Sequence, residues 1–182
     1  MEKQLYFIGV IPGEDMEQRI KKLKIEMHER FESRHALKSP AHITLQMPFR
    51  ADPANEIFIM DALKEFSASQ RSFDVNLSGF GCFKPRVIFI RISNPEPLQE
   101  LHLQMKPVLK NKINLTERQI GNRFHPHITI ATRDLSEKKF YEAWNEFHNR
   151  KFEGKFTINY LVLFKHNGKF WDIYREIPVD LI

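Results

Sequence analysis

Cysteine is almost absent. Cys82 stands alone among 182 residues, so no intramolecular disulfide can form, and a zinc ribbon or a CxxC redox pair is excluded. Long apolar runs are missing too: the longest, Leu5 to Pro12 and Tyr160 to Phe164, fall well short of the ~18–20 residues a membrane-spanning helix needs. Low-complexity stretches and linkers are lacking. The opening Met1-Glu2-Lys3-Gln4 has no apolar secretory core. These absences predict a soluble chain in a reducing, cytoplasmic compartment, with no membrane partner and acting as a monomer.

What is present supports a packed interior. Hydrophobic residues make up 42% and charged residues 28%, so wholesale disorder is excluded. Sixteen Phe promise a well-filled core. The net charge of +5 draws the chain mildly toward anionic partners such as RNA or nucleotides. The basic residues are spread along the chain apart from Lys21-Lys22-Lys24, so charge alone assigns nothing.

Periodicity divides the chain into elements. Leu5–Ile11 is a continuous apolar run of the kind found in strands buried on both faces. Met16, Ile20, Leu23, Met27 and Phe31 recur at helical steps and predict a helix over residues 14–33. Ala41–Leu45 alternates as a strand. Asp52-Pro53 opens a second helix bearing Ile59, Ala62, Leu63 and Phe66. Phe73, Val75 and Leu77 alternate with polar neighbours. A corner at Gly79–Pro85 then leads into a strand at Arg86–Ile92. Pro95 and Pro97 open a third helix, which Pro107 is expected to kink or shorten. A strand spans Phe124–Ile130, Ser136 caps a fourth helix, and Phe156–Phe164 pairs with Phe170–Val179 around Asn167-Gly168.

After the first strand the order is helix, strand, helix, strand, strand, and then the same five again. His42-Ile43-Thr44-Leu45 is answered by His127-Ile128-Thr129-Ile130. This reads as an internal duplication, roughly 14–93 and 95–179, within one pseudo-symmetric domain over 1–182.

On a strand, residues two apart share a face. His42 and Thr44 therefore project together, as do His127 and Thr129, with Ile43, Leu45, Ile128 and Ile130 turned into the core. Each half presents an imidazole beside a hydroxyl on a rigid strand, and a pseudo-two-fold lets the pairs face each other. Imidazole exchanges protons near neutral pH, so each motif strand is a platform for a site.

These two motifs resemble the His-x-Thr-x pair of the 2H phosphoesterase superfamily, and the resemblance is closest to its 2′-5′ RNA ligase-like, or cyclic phosphodiesterase, branch. It extends over nearly the whole chain, through the duplicated element order and Pro126 before the second motif. It implies an α+β fold: bilobal, a duplicated αβαββ unit, with antiparallel sheets lining a central groove and helices outside. It also implies catalytic His42 and His127, with the Thr44 and Thr129 hydroxyls binding the substrate phosphate, in an in-line displacement at phosphorus that needs no metal and no cofactor. The expected substrates are RNA ends, nucleotide 2′,3′-cyclic phosphates or 2′-5′ linkages, with ligation as the reverse reaction. The competing reading is a non-catalytic RNA-binding module of the same fold, although simple anion binding would be better served by Lys or Arg.

Other residues carry weaker signals. Arg133, four past Thr129, could reach the substrate phosphate, and Arg50 sits similarly after the first motif; both read equally well as solvated surface charges. His125 and His127 form an H-x-H with no carboxylate-rich segment nearby to complete a metal site. Lys84 and Arg86 flank Pro85 in a turn. Phe49, Phe83 and Phe124 could stack a base, though core packing is the simpler use. His28, His102, His148 and His166 lie outside the repeat and receive no role, and Cys82 reads as an inert small residue.

Overall fold

The computed structural model describes residues 2–180. Eight strands form two four-stranded antiparallel sheets. β1 (Gln4–Val10), β2 (Ile43–Ala51), β7 (Tyr160–His166) and β8 (Trp171–Pro178) make the first, in the order β2-β1-β7-β8. β3 (Phe73–Phe83), β4 (Val87–Ile92), β5 (His127–Ala131) and β6 (Glu153–Ile158) make the second, in the order β5-β4-β3-β6. The two orders correspond strand for strand, with each motif strand, β2 or β5, at an edge.

Helices cover the outer faces. α1 (Glu14–Phe31) and α5 (Glu137–Phe147) pack together against the second sheet, and α2 (Glu56–Ser67) packs on β7 and β8 beside α3 (Glu96–Asn111). The stripe predicted for α1 is buried, and Lys24 joins it. Acidic Glu14, Asp15 and Glu17 in its first turn, and His28 and Arg30 in its last, complement the helix dipole. The helix ends at Phe31, short of the predicted 33, because Glu32 turns left-handed at φ 61°. Ser136 caps α5 as predicted, its hydroxyl accepting from the Lys139 amide.

One continuous core fills the space between sheets and helices, with Tyr6, Ile8, Ile43, Leu45, Ile88, Ile90, Ile128 and Ile130 among its fully buried members. Alternation places Phe7 on the other face of β1. There it stacks on Phe164 (ring centroids 4.1 Å apart) and joins Val162 in a small second cluster on the inner side of the first sheet. Most of the Phe complement thus backs the sheets from both sides.

Four local expectations need correction. Phe156–Phe164 is two strands, not one: β6 pairs with β3, β7 pairs with β1, and Asn159 between them marks the step from one sheet to the other. The glycine-rich segment 79–83 is no corner. β3 runs through it with an irregularity between Leu77 and Phe80, where Gly79 takes φ 62°, and the turn falls at Lys84–Arg86. Pro107 does not end α3, which continues to Asn111; Pro107 and Leu103, whose carbonyl it leaves unpaired within the helix, both face solvent. The second motif strand begins at His127, not Phe124. Periodicity also missed the short α4 (Glu117–Ile120), which Thr116 and Gln119 close with a capping box.

The β6–β7 step has a further consequence. Each sheet takes strands from both halves of the sequence, so the two lobes do not coincide with residues 14–93 and 95–179. Among the described residues, no helix is long and apolar enough to cross a membrane.

Candidate active site

The inner faces of the two sheets and the connections around them enclose a groove of about 490 Å³. His42, Thr44, His127, Thr129 and Arg133 all line it. The side chains singled out from two distant stretches of sequence therefore meet in one place. Ile43, Leu45, Ile128 and Ile130 are at most 2% exposed on the opposite faces of their strands, so the motif backbones cannot turn without unpacking the core.

Glycine shapes the approach on both sides. Gly9 pairs with Thr44 across the ladder, and a Cβ on it would lie 2.7 Å from the Ile43 carbonyl oxygen. Gly81 admits the Phe89 ring, which a Cβ would meet at 2.5 Å. Phe89 in turn lies beside His127, ring centroids 4.8 Å apart, much as Phe7 lies 4.8 Å from His42.

Both imidazoles are oriented by the same bond. Nδ1–H of His42 donates to the Pro40 carbonyl (2.8 Å), and Nδ1–H of His127 donates to the His125 carbonyl (2.6 Å). This tautomer leaves each Nε2 as the free, basic nitrogen. Burial lowers the pKa of His42 to about 4, with the charges of Lys24 and His127 adding to the effect. Burial lowers His127 as well, assisted by His125.

Around these residues Lys38, Arg123 and Arg133 give the lining a positive charge, His35 and His125 share the groove, and none of the described Asp or Glu residues lines it. His35 was not anticipated. It arrives on a single 3₁₀ turn (His35–Lys38) that is tethered to the loop after the second motif. The Asp134 carboxylate accepts from the Ser33 hydroxyl (3.0 Å) and from the amides of Arg34 (3.1 Å) and His35 (3.2 Å). Arg133 sits just before it at φ 58°, so this loop holds both the arginine and the tether. Burial, Arg133 and Lys38 all depress the pKa of His35.

A second unexpected set lies behind His42. Lys24 is only 2% exposed, and its Nζ donates to the Ser39 carbonyl (3.0 Å). Glu17, two turns earlier on α1, accepts from the Ala41 amide (2.7 Å). Burial lowers Lys24 to about 8 against the pull of Glu17. Residues 39–41, which carry the carbonyl orienting His42, are thus gripped from the helix. Lys24 follows Ile20 by four positions, on the inward face. A lysine interrupting an apolar stripe is the signal that pointed to it.

His102, given no role from sequence, is also drawn in. It is 4% exposed, stacks flat on Phe124 (4.2 Å, 6°), and donates from Nδ1 to the Leu45 carbonyl (2.9 Å). It therefore supports the first motif strand from α3. Phe124 and Phe83 line the groove, Phe83 edge-on to His127 at 5.2 Å, whereas Phe49 is core at 2% exposure. Arg50 is remote, donating to the Lys3 carbonyl (3.3 Å), and Lys84 and Arg86 do not line the groove. Among the described residues, no group of three or more His, Cys, Asp or Glu is arranged to hold a metal ion.

Comparison with known proteins finds relatives along nearly the whole chain. A candidate phosphoesterase of Geobacillus sp. (strain WCH70) is 25% identical over 178 residues, covering 96% of this chain and 95% of the other. A second, from Oceanobacillus iheyensis, is 21% identical over 93% of this chain and 95% of its own. Among solved structures, E. coli LigT complexed with 3′-AMP superposes with a TM-score of 0.69 at 18% identity, covering 98% of this chain and 99% of that one. TT0787 of Thermus thermophilus superposes with 0.68 at 17% identity, covering 97% of each. These likenesses establish the fold. The model of the 2′-5′ RNA ligase superfamily matches residues 12–170, and the chain belongs to that superfamily of phosphoesterases.

Proposed function

We propose that the protein is a phosphodiesterase that opens nucleotide or RNA 2′,3′-cyclic phosphates, or cleaves 2′-5′ linkages, by two-histidine acid–base catalysis. One observation carries this reading: two imidazoles, each with Nε2 free, line a groove that has basic residues and, among the described residues, no Asp or Glu. LigT with 3′-AMP bound supports a nucleotide-sized phosphate ligand.

The roles follow from the pKa shifts. His42, held near 4, is neutral at working pH and takes the proton from an attacking water. An entering phosphate anion raises the pKa of both imidazoles, but burial and the Lys24 charge oppose protonation of His42, so the proton settles on His127, which is the acid. As the water oxygen bonds to phosphorus, the bond from phosphorus to one ribose oxygen breaks. The proton on His127 Nε2 passes to that oxygen, and the water proton rests on His42. Thr44 and Thr129 donate to the non-bridging oxygens, where charge concentrates, and Arg133 neutralises it. When the 5′-hydroxyl of a second RNA end attacks in place of water, His42 takes its proton, His127 protonates the departing ribose 3′-oxygen, and the new 2′-5′ linkage is the product of ligation.

The deciding measurement is hydrolysis of nucleoside 2′,3′-cyclic monophosphates and 2′-5′ dinucleotides in EDTA. Turnover is expected, with loss of ~10²-fold or more in H42A and in H127A. RNA binding without turnover of either substrate would overturn the catalytic reading in favour of a binding module.

A further inference from the structure

The groove does not stop at the histidines. A second hollow of about 260 Å³ joins it through Lys38, Ser39 and Trp171, which line both. Lys21 and the buried Lys24 line this hollow together with Phe170. Glu17 is its single acidic residue, and its carboxylate is occupied by the Ala41 amide. Lys21 and Lys38 take part in no ion pair among the described residues, whereas Lys64, Lys110, Lys112, Lys139, Lys155 and Lys165 all do.

The aromatic wall is displayed and braced. Phe170 is 40% exposed at the β7–β8 turn, with the Lys169 ammonium 5.0 Å above its ring. Trp171 is wedged edge-on between Phe7 (4.7 Å) and His166 (4.9 Å), and Phe7 is the ring beside His42. Unpaired lysines next to exposed rings are the elements that hold a single-stranded nucleic acid, phosphate on cation and base on aromatic face.

Resting on the activity proposed above, we propose that this hollow is a subsite for the nucleotide preceding the reacting one. The substrate is therefore an RNA end and not a mononucleotide. With the reacting phosphate between His42 and His127, the chain leaves the groove past Trp171. Its next phosphate meets Lys38 and Lys21, and its base lies against Phe170 and Trp171. A hollow on the other side, between α3 and α4, touches the groove at Ile120 and also contains lysines, Lys106 and Lys110. There Lys110 is already neutralised by Glu117 at 2.7 Å, and the lining includes no aromatic ring.

The test is a calorimetric titration of the intact protein with two product-like ligands, a nucleoside 3′-monophosphate and a trinucleotide ending in the same nucleoside 3′-phosphate. The trinucleotide should bind about ten-fold tighter at low salt, with an advantage that shrinks as salt rises. Lys21→Glu and Phe170→Ala, both at exposed positions, should each remove most of that advantage and leave mononucleotide binding unchanged. Equal affinity for the two ligands, no binding of either, or an advantage that survives both substitutions and falls only in Lys106→Glu, would overturn the subsite. Because binding is read apart from turnover, the two proposals fail separately. Trinucleotide preference without hydrolysis would sustain the subsite and defeat the activity, and hydrolysis without preference would do the reverse.

Discussion

His42 and His127 are fixed by the same local bond, yet what stands behind that bond differs. The carbonyl orienting His42 belongs to a segment gripped by Lys24 and Glu17 from α1. Among the described residues, no side chain other than His127 hydrogen-bonds the backbone of residues 122–126, which carry the carbonyl orienting His127; ring contacts support that segment instead, Phe124 on His102 and His125 edge-on to Phe83 and Phe89. Two motifs of matching sequence thus form unequal half-sites, one hydrogen-bonded from α1 with a buried cation close by, the other braced by ring contacts alone. Duplication supplied the symmetric parts, and the packing of α1 broke the symmetry. A low-pKa imidazole in the half gripped from α1 suits a base, and the imidazole of the other half suits an acid that must accept a proton as the anion enters.

The largest effects should fall on the half-sites equally. H42A and H127A are each expected to lose ~10²-fold or more in kcat/KM; a loss in only one of them would leave a single acid or base and break the paired reading. The T44A/T129A double variant should lose a further ~10–10²-fold, and near-normal turnover in it would refute the phosphate-holding role.

Next come effects that separate the halves. For free protein, kcat/KM requires His42 neutral and His127 protonated. With His42 at about 4 and His127 lowered below its ordinary 6.5, the pH optimum should lie on the acidic side of 6.5. Lys24→Met removes a positive charge beside His42, so the ascending limb should move to higher pH while the descending limb stays. Movement of both limbs together would contradict the asymmetry. Asp134→Ala frees the 3₁₀ turn and should raise KM several-fold through displaced His35 and Lys38 with kcat little changed; an effect on kcat alone would contradict that role.

The smallest expected effect is on stability. An imidazole whose pKa is depressed by folding takes up its proton first in the unfolded chain. Stability should therefore fall as pH drops from about 6.5 toward 4, and this contribution is constant above the upper limit. A thermal melt series should show the decline, with a gentler slope in H42Q. An identical slope in that variant would place the titrating group elsewhere.

Much of the site was legible because a strand alternates. Two short motifs told which side chains share a face, and the buried Ile and Leu between them told which face is covered. The residues that escaped reach the groove through contacts far apart in sequence. His35 is brought in by Asp134, about a hundred positions away, and His102 touches the motif strand from α3. The error at Phe156–Phe164 has the same origin. An unbroken apolar run says that both its parts are buried, but not that a step at Asn159 sends each part into a different sheet.

The sequence by itself determined the duplicated motifs, the amphipathic helices and the chemical character of the groove, because these depend on residue types and on periods of two and 3.6 that act locally. Tertiary structure alone decided that strands from both halves build each sheet, that the histidines share one groove with no described Asp or Glu in its lining, and that among the described residues the carbonyl segment of His42 is hydrogen-bonded from a helix while that of His127 is not. Those properties arise from the packing of surfaces distant in the chain, which no local pattern records.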